Sequence, residues 1–227
     1  MQTTKHTISS IAVASIYMTA IITTAIFATA LLAPLSPACA QTTDLFISEY
    51  VEGSSNNKAL EIFNGTADDI ELSDYHILRF NNGSTSSTTI TLNAHTMEPG
   101  SVYVIANEFA DADLMALAQQ TSSELNFNGN DSLVLKRGSL VVDSFGRVGE
   151  DPGTAWTCPG GTTLNQTLRR LPSICNGDTV IDDEFNPCLE YEFYSVDTFD
   201  GLDDHFSDCA SVSTGHDTWN AVKALYR

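Results

Sequence analysis

The stretch "LFISEYVEGSSNNKALEIFNGT", residues 45–66, decides the fold. Two runs, "LFISEYV" and "KALEIF", alternate apolar residues with others, and a short polar loop separates them. A period of two marks a strand with one buried face, and two such runs around a Gly/Ser/Asn loop form a β-hairpin. In that pattern Glu49 falls in step with Leu45, Ile47 and Val51, and Glu61 falls in step with Ala59 and Phe63. Both carboxylates are therefore expected to point at least partly inward. A buried carboxylate is tolerated when it accepts hydrogen bonds. The N–H groups of the loop, with Asn56, Asn57 and Lys58, are close in sequence, so the expected role of the pair is to lock the hairpin loop. Glu49, Glu61 and Asn64 together are the candidate cation ligands, and Ca²⁺, an ion that takes oxygen ligands, fits such a set. No other cofactor is expected.

The same grammar continues along the chain. "YHILRF", "TTITL", "SVYVIA", "DSLVLK", "SLVVDSF" and "NQTLRRL" are strand-like runs, punctuated by "NGTADD", "NNGSTSS", "EPG", "NGND" and "RG". Many short strands with Gly/Asn/Asp/Ser turns indicate an all-β sandwich or barrel. "LKRGSLVV" predicts a tight hairpin centred on Arg137 and Gly138. One segment departs from this, "EFADADLMALAQQTS", where Phe109, Leu114, Met115 and Ala118 fall near helical spacing and Asp111 can cap the start. It predicts one short helix or helical turn packed over an end of the sandwich. From Gly149 onward the chain reads mostly as loop.

The amino-terminal residues have a different character. Lys5 precedes a 25-residue apolar run from Ile11 to Leu35, and "PACA" follows with Ala38 and Ala40 at the small-residue positions of a signal-peptidase site. Five Ser/Thr residues inside the run and the A-x-A end favour a cleaved signal peptide over a membrane anchor. "SPAC" lacks the Leu expected before a lipidated Cys39. The expected organisation is a signal peptide (1–40), a β-sandwich domain (41–209) and a tail (210–227). "DTWNAVKALYR" in that tail reads equally as a short helix or as a frayed end. After cleavage no membrane span remains.

The formal charge is −19, and removal of residues 1–40, which hold one Lys and no acid, takes it to −20. Such a chain repels phosphates, so direct nucleic-acid binding is not expected. Four of the five cysteines lie in the last third: Cys158, Cys175, Cys188 and Cys209. An even count in an exported chain predicts two disulfides, with three pairings open, and no C-x-x-C spacing favours a metal. The stable product is expected outside the cytoplasm: secreted, periplasmic or at the cell surface.

These motifs together resemble the bacterial lamin-tail domain family. The resemblance is carried by "LFISEYVEGSSNNKALEIFNGT", "IELSDYHILRF", "LNFNGNDSLVLKRGSLVVDSFGRVGEDPGTAW" and "NQTLRRLPSICNGDTVIDDEFNPCLEYEFYSVDTFDGLDDH", and it runs from about Asp44 to His205. It implies an immunoglobulin-like β-sandwich with one short helix and a disulfide-braced C-terminal loop region. The sequence departs from the pattern at Tyr191, where a Trp is expected, and at Asp203, where Gly is usual. In exported proteins of this type the module often stands beside an endonuclease/exonuclease/phosphatase domain. The residues after the motif are too few for such a domain, which needs on the order of 100.

No catalytic motif is present: neither G-x-S-x-G, H-E-x-x-H, a P-loop nor G-x-G-x-x-G occurs. His76 reads as a satisfied polar residue at a strand edge. Asp203, Asp204 and His205 are too close in sequence to surround one ion, and Glu150, Asp151 and 182–184 lack a calcium-loop spacing and read as Asx-turns. No catalytic residue is assigned. The expected function is a secreted, non-catalytic lamin-tail module that binds or scaffolds an unidentified protein or an envelope or extracellular ligand. The alternative is an accessory domain of an extracellular nuclease or phosphatase system.

Overall fold

The computed structural model describes residues 42–209. The predicted signal segment, the cleavage site and the tail from residue 210 lie outside the described residues. Fourteen strands form in chain order among them. Six build the larger sheet: β1 (Phe46–Glu52), β2 (Lys58–Phe63), β7 (Val102–Asn107), β8 (Gln120–Ser122), β13 (Gln166–Arg170) and β14 (Tyr191–Tyr194), in the order β14-β13-β1-β2-β7-β8. Four build the second: β4 (Tyr75–Phe80), β5 (Ser87–Thr91), β9 (Ser132–Arg137) and β10 (Leu140–Phe145), in the order β10-β9-β4-β5. The short strands β3 (Ile70–Glu71) with β6 (Thr96–Met97), and β11 (Thr157–Cys158) with β12 (Gly161–Thr162), make two small ribbons.

The core between the sheets is filled by alternate residues of both: Ile47, Tyr50, Leu60, Ile62, Tyr103, Ile105 and Leu168 from the larger, Ile77, Ile90, Leu133, Leu135 and Phe145 from the smaller. Tyr50 stacks on Phe145 at 4.1 Å and on Phe127 at 4.8 Å. All the strand runs read from the sequence form strands. The β9–β10 turn is Gly138–Ser139, one residue beyond the expected centre, with Gly138 at φ 56°.

The short helix, α1 (Ala112–Met115), forms as a single turn, as expected. Asp111 stands at its N-cap position but makes no side-chain cap bond, because its carboxylate accepts from Asn57 Nδ2 instead. Leu114 is buried, whereas Phe109 and Met115 face solvent. The polar "QTS" that follows forms β8, parallel to β7. His76 does not sit on an edge: β4 is flanked by β5 and β9.

The larger sheet is covered on both faces. Its outer face carries a second apolar cluster, Val51, Ala59, Val104 and Ala106, packed under Ala110 and Leu114 of the α1 region and Leu202 and Phe199 of the C-terminal strap, residues 196–209. The four cysteines form the two expected disulfides, and the structure fixes the pairing left open by the sequence as Cys158–Cys188 and Cys175–Cys209. The second fastens the end of the strap to the loop after β13.

Candidate functional site

The placement of Glu49 and Glu61 corrects the simple alternation. The β1–β2 register runs Phe46↔Phe63 and Ile47↔Ile62, then jumps to Glu49↔Glu61. Ser48 is the extra residue of a β-bulge, a device that sets two residues of one strand against one of its partner. Beyond it the phase of β1 is reversed. Leu45 and Ile47 enter the core between the sheets, but Glu49 and Val51 turn to the outer face. Glu61 lies on that face too, as its step with Ala59 requires. The two carboxylates are thus directly opposed on adjacent strands, outside the main core, and still only 2% and 0% exposed because the strap lies over them.

Their partners come from the bulge, from β13 and from the strap. Ser48 Oγ donates to Glu61 Oε1 at 2.6 Å, and the Asp203 N–H donates to Glu61 Oε2 at 2.7 Å. Arg169 Nε donates to Glu49 Oε2 at 3.1 Å, while its Nη2 reaches Asp200 on the strap. Glu49 Oε1 is buried without a hydrogen-bond partner. Burial pushes Glu49 up to about 7, against the pull of Arg169. Burial pushes Glu61 up to about 8, with the neighbouring Glu49 charge adding to it and the Ser48 bond opposing it. A Cβ at Gly201 would overlap both the Arg169 guanidinium and the Glu49 carboxylate, so the close approach of the strap requires glycine there.

The hairpin loop is locked by other residues than the pair. Asp197 of the strap accepts from Ser54 N and Oγ at 2.9 and 2.6 Å and from Asn57 Nδ2 at 3.0 Å. Lys58 Nζ donates to Gly53 O at 2.5 Å and to Ser55 O at 3.0 Å, and pairs with Glu52 at 3.1 Å. The lysine charge is tolerated because carbonyls and a carboxylate surround it.

Asn64 does not join the glutamates. Its Nδ2 donates to the carbonyls of Asp68 and Met97, both at 2.9 Å, and its Oδ1 accepts from Thr66 N and Oγ1. It closes the turn after β2. Among the described residues no group of three His, Cys, Asp or Glu side chains is arranged to hold a metal ion. The cation beside Glu49 is the Arg169 guanidinium.

The other candidates are also placed. Asp203 adopts φ 74°, a left-handed conformation, which is the physical reason glycine is usual there. His205 turns away from Asp203: its ring packs against Phe63 at 4.7 Å and Phe46 at 5.7 Å, and burial holds its pKa down to about 4. Asp151 accepts the Gly153 N–H, an Asx-turn as expected, and Glu150 pairs with Arg147 at 2.7 Å. Tyr191, in place of Trp, puts its hydroxyl 2.7 Å from Arg170 Nη2.

Sequence reasoning missed the deepest ion pair. Asp143 on β10 and Arg170 on β13 are both fully buried and bridge the two sheets at 3.0 Å. The Asp143 carboxylate also accepts N–H bonds from Ile47, Ser144 and Asp178 at 2.7–2.9 Å. Burial pushes it up, and Arg170 with these donors opposes that. The alternation of "SLVVDSF" was the available signal, but a second bulge between Val141 and Asp143 breaks its phase.

Two sheets, antiparallel throughout except at β7–β8, packed face to face around one apolar core define a protein of the immunoglobulin-like β-sandwich class. Residues 39–149 match the family model of the Lamin Tail Domain, which supports assigning this segment to that family. The match ends at Gly149, whereas the fold does not: β13 and β14, beyond it, complete the larger sheet. No curated protein matches the chain.

Proposed function

We propose that this lamin-tail protein is exported and non-catalytic, and that it binds or scaffolds a protein or envelope ligand outside the cytoplasm. The observation that supports this reading most is the pair of disulfides in the last third of the domain, since such bonds form and persist in oxidising compartments. The use of Glu49, Glu61, Asp143 and Asp197 as acceptors for groups of the fold itself is in keeping with a binding module. The surface left for a partner is strongly acidic, which favours a basic or neutral ligand over a nucleic acid.

The test is fractionation of the producing cell with thiol alkylation, followed by cross-linking of the mature protein to envelope extract and assays on DNA and phosphate esters. Expected are an extracytoplasmic protein without free thiols, a specifically cross-linked envelope component, and no hydrolysis. Turnover of either substrate by the purified chain, or a cytoplasmic reduced protein, overturns the reading. Co-purification with a nuclease replaces it with an accessory role.

A further inference from the structure

The strap covers the outer face of the larger sheet through an unusual electrostatic seam. The groups that face it can be followed element by element. β1 supplies Glu49 and Ser48, β2 supplies Glu61, and β13 supplies Arg169. β14 places Glu192 opposite Arg169 in register and Tyr194 beneath its guanidinium at 4.0 Å. The strap brings Asp200, Asp203, Asp204 and His205, and Gln119, just before β8, reaches Asp203 at 3.4 Å. β7 and α1 contribute the apolar side chains Val104, Ala106 and Leu114, while Asp113 of α1 is exposed.

One guanidinium therefore serves several carboxylates, and it is already divided between Glu49 and Asp200. His205 adds no charge, since burial and the nearby Arg170 keep it neutral. Glu49 Oε1 has no donor at all. Two ionised carboxylates directly opposite each other on neighbouring strands repel, and burial strengthens that repulsion.

We propose that the strap is a pH-gated cover, closed while at least one of Glu49 and Glu61 is protonated, so that at most one negative charge of the pair lies beside Arg169, and loosened when both carboxylates are ionised. The direction follows from proton linkage. Both groups titrate higher in the fold, at about 7 and about 8, than the ordinary value of 4.5. The closed state thus holds extra protons, and its stability is complete below about 4.5 and is lost as pH rises through 7 to 8. The loss is local because residues 195–209 form no strand or helix, while the sheet beneath has its own ladder. Asp197 at one end and Cys209 at the other keep the cover attached. The inference is independent of the binding role proposed above.

Hydrogen exchange by mass spectrometry on the wild-type protein at pH 5.5 and 9, corrected for intrinsic rates, tests it. Protection of strap residues 198–206 should fall by about tenfold or more with pH, as a shift of more than one pKa unit requires, while β9 stays unchanged. Glu61→Gln, which cannot ionise, should abolish the fall. Equal strap protection at both pH values, or an undiminished fall in Glu61→Gln, overturns the proposal. Carboxyl-carbon NMR of the wild type decides the matter without a variant, since a Glu61 resonance titrating in the ordinary carboxylate range also overturns it.

Discussion

Buried carboxylates occur on both faces of the larger sheet, and the two sites are built in opposite ways. On the inner face Asp143 is met by three backbone N–H groups and by Arg170, so both of its oxygens have donors. On the outer face Glu49 shares Arg169 with Asp200, the opposing Glu61 has only a hydroxyl and one N–H, and one Glu49 oxygen has no partner. The inner site joins two sheets that cannot separate without unfolding. The outer site joins a sheet to an irregular strap that can. Burial is the same in both. The number of donors determines whether a buried acid is a fixed joint or a titratable one.

The largest effect is expected where the inner site is broken. Arg170→Met leaves Asp143 buried and unpaired, and should cost about 3–5 kcal/mol in urea denaturation. A loss below 1 kcal/mol would erase the distinction drawn between the two faces.

Removing Cys175 and Cys209 together, as the double Ser variant, should cost about 3–4 kcal/mol, the chain-entropy value for closing a loop of this length, with a separation of 34 residues. Most of that loss should show as exchange of the strap, not of β4 or β9. Uniform loss across both sheets would mean that the strap is part of one cooperative unit with the sandwich.

The outer site should respond to pH where the inner does not. Glu61→Gln should destabilise by about 1 kcal/mol at pH 5, where the wild-type carboxyl is protonated and well bonded to Ser48. The deficit should shrink or reverse by pH 9, because Gln avoids the ionisation that the fold resists. Melting temperatures measured across that range give the answer, and a constant difference would show that Glu61 does not titrate on the outer face.

The smallest change is at Asp203. Asp203→Gly removes a left-handed strain but adds freedom to the unfolded chain, so a net gain of about 0.5 kcal/mol is expected by thermal melt. A loss above 1 kcal/mol would show that the Asp203 carboxylate helps to hold the strap.

Much of this architecture was legible because alternation reports burial directly. The runs at "KALEIF", "YHILRF" and "DSLVLK" are strands where the pattern places them. What stayed hidden has specific causes. A period-two pattern counts residues and cannot see that Ser48 is skipped in the hydrogen-bond ladder, so it put Glu49 on the wrong face. β8 was hidden because "QTS" pairs through its backbone, with no apolar side chain to mark it. Asp143 and Arg170 are 27 residues apart, and nothing local shows that they meet. The cysteine pairing depends on the path of the strap, which no spacing rule encodes.

The strap's attachment at two ends also sets the terms for competition. A cover tethered on both sides returns to its own sheet at an effective concentration on the order of millimolar, whatever the dilution of the protein. Any outside segment aiming for Val51, Ala59, Val104 and Ala106 must outbid that internal rival. Cutting the chain once between Asp197 and Cys209 would not release the strap piece, since Cys175 still holds it. Loosening the strap leaves it tethered, and full release of the piece takes a cut and a reductant together.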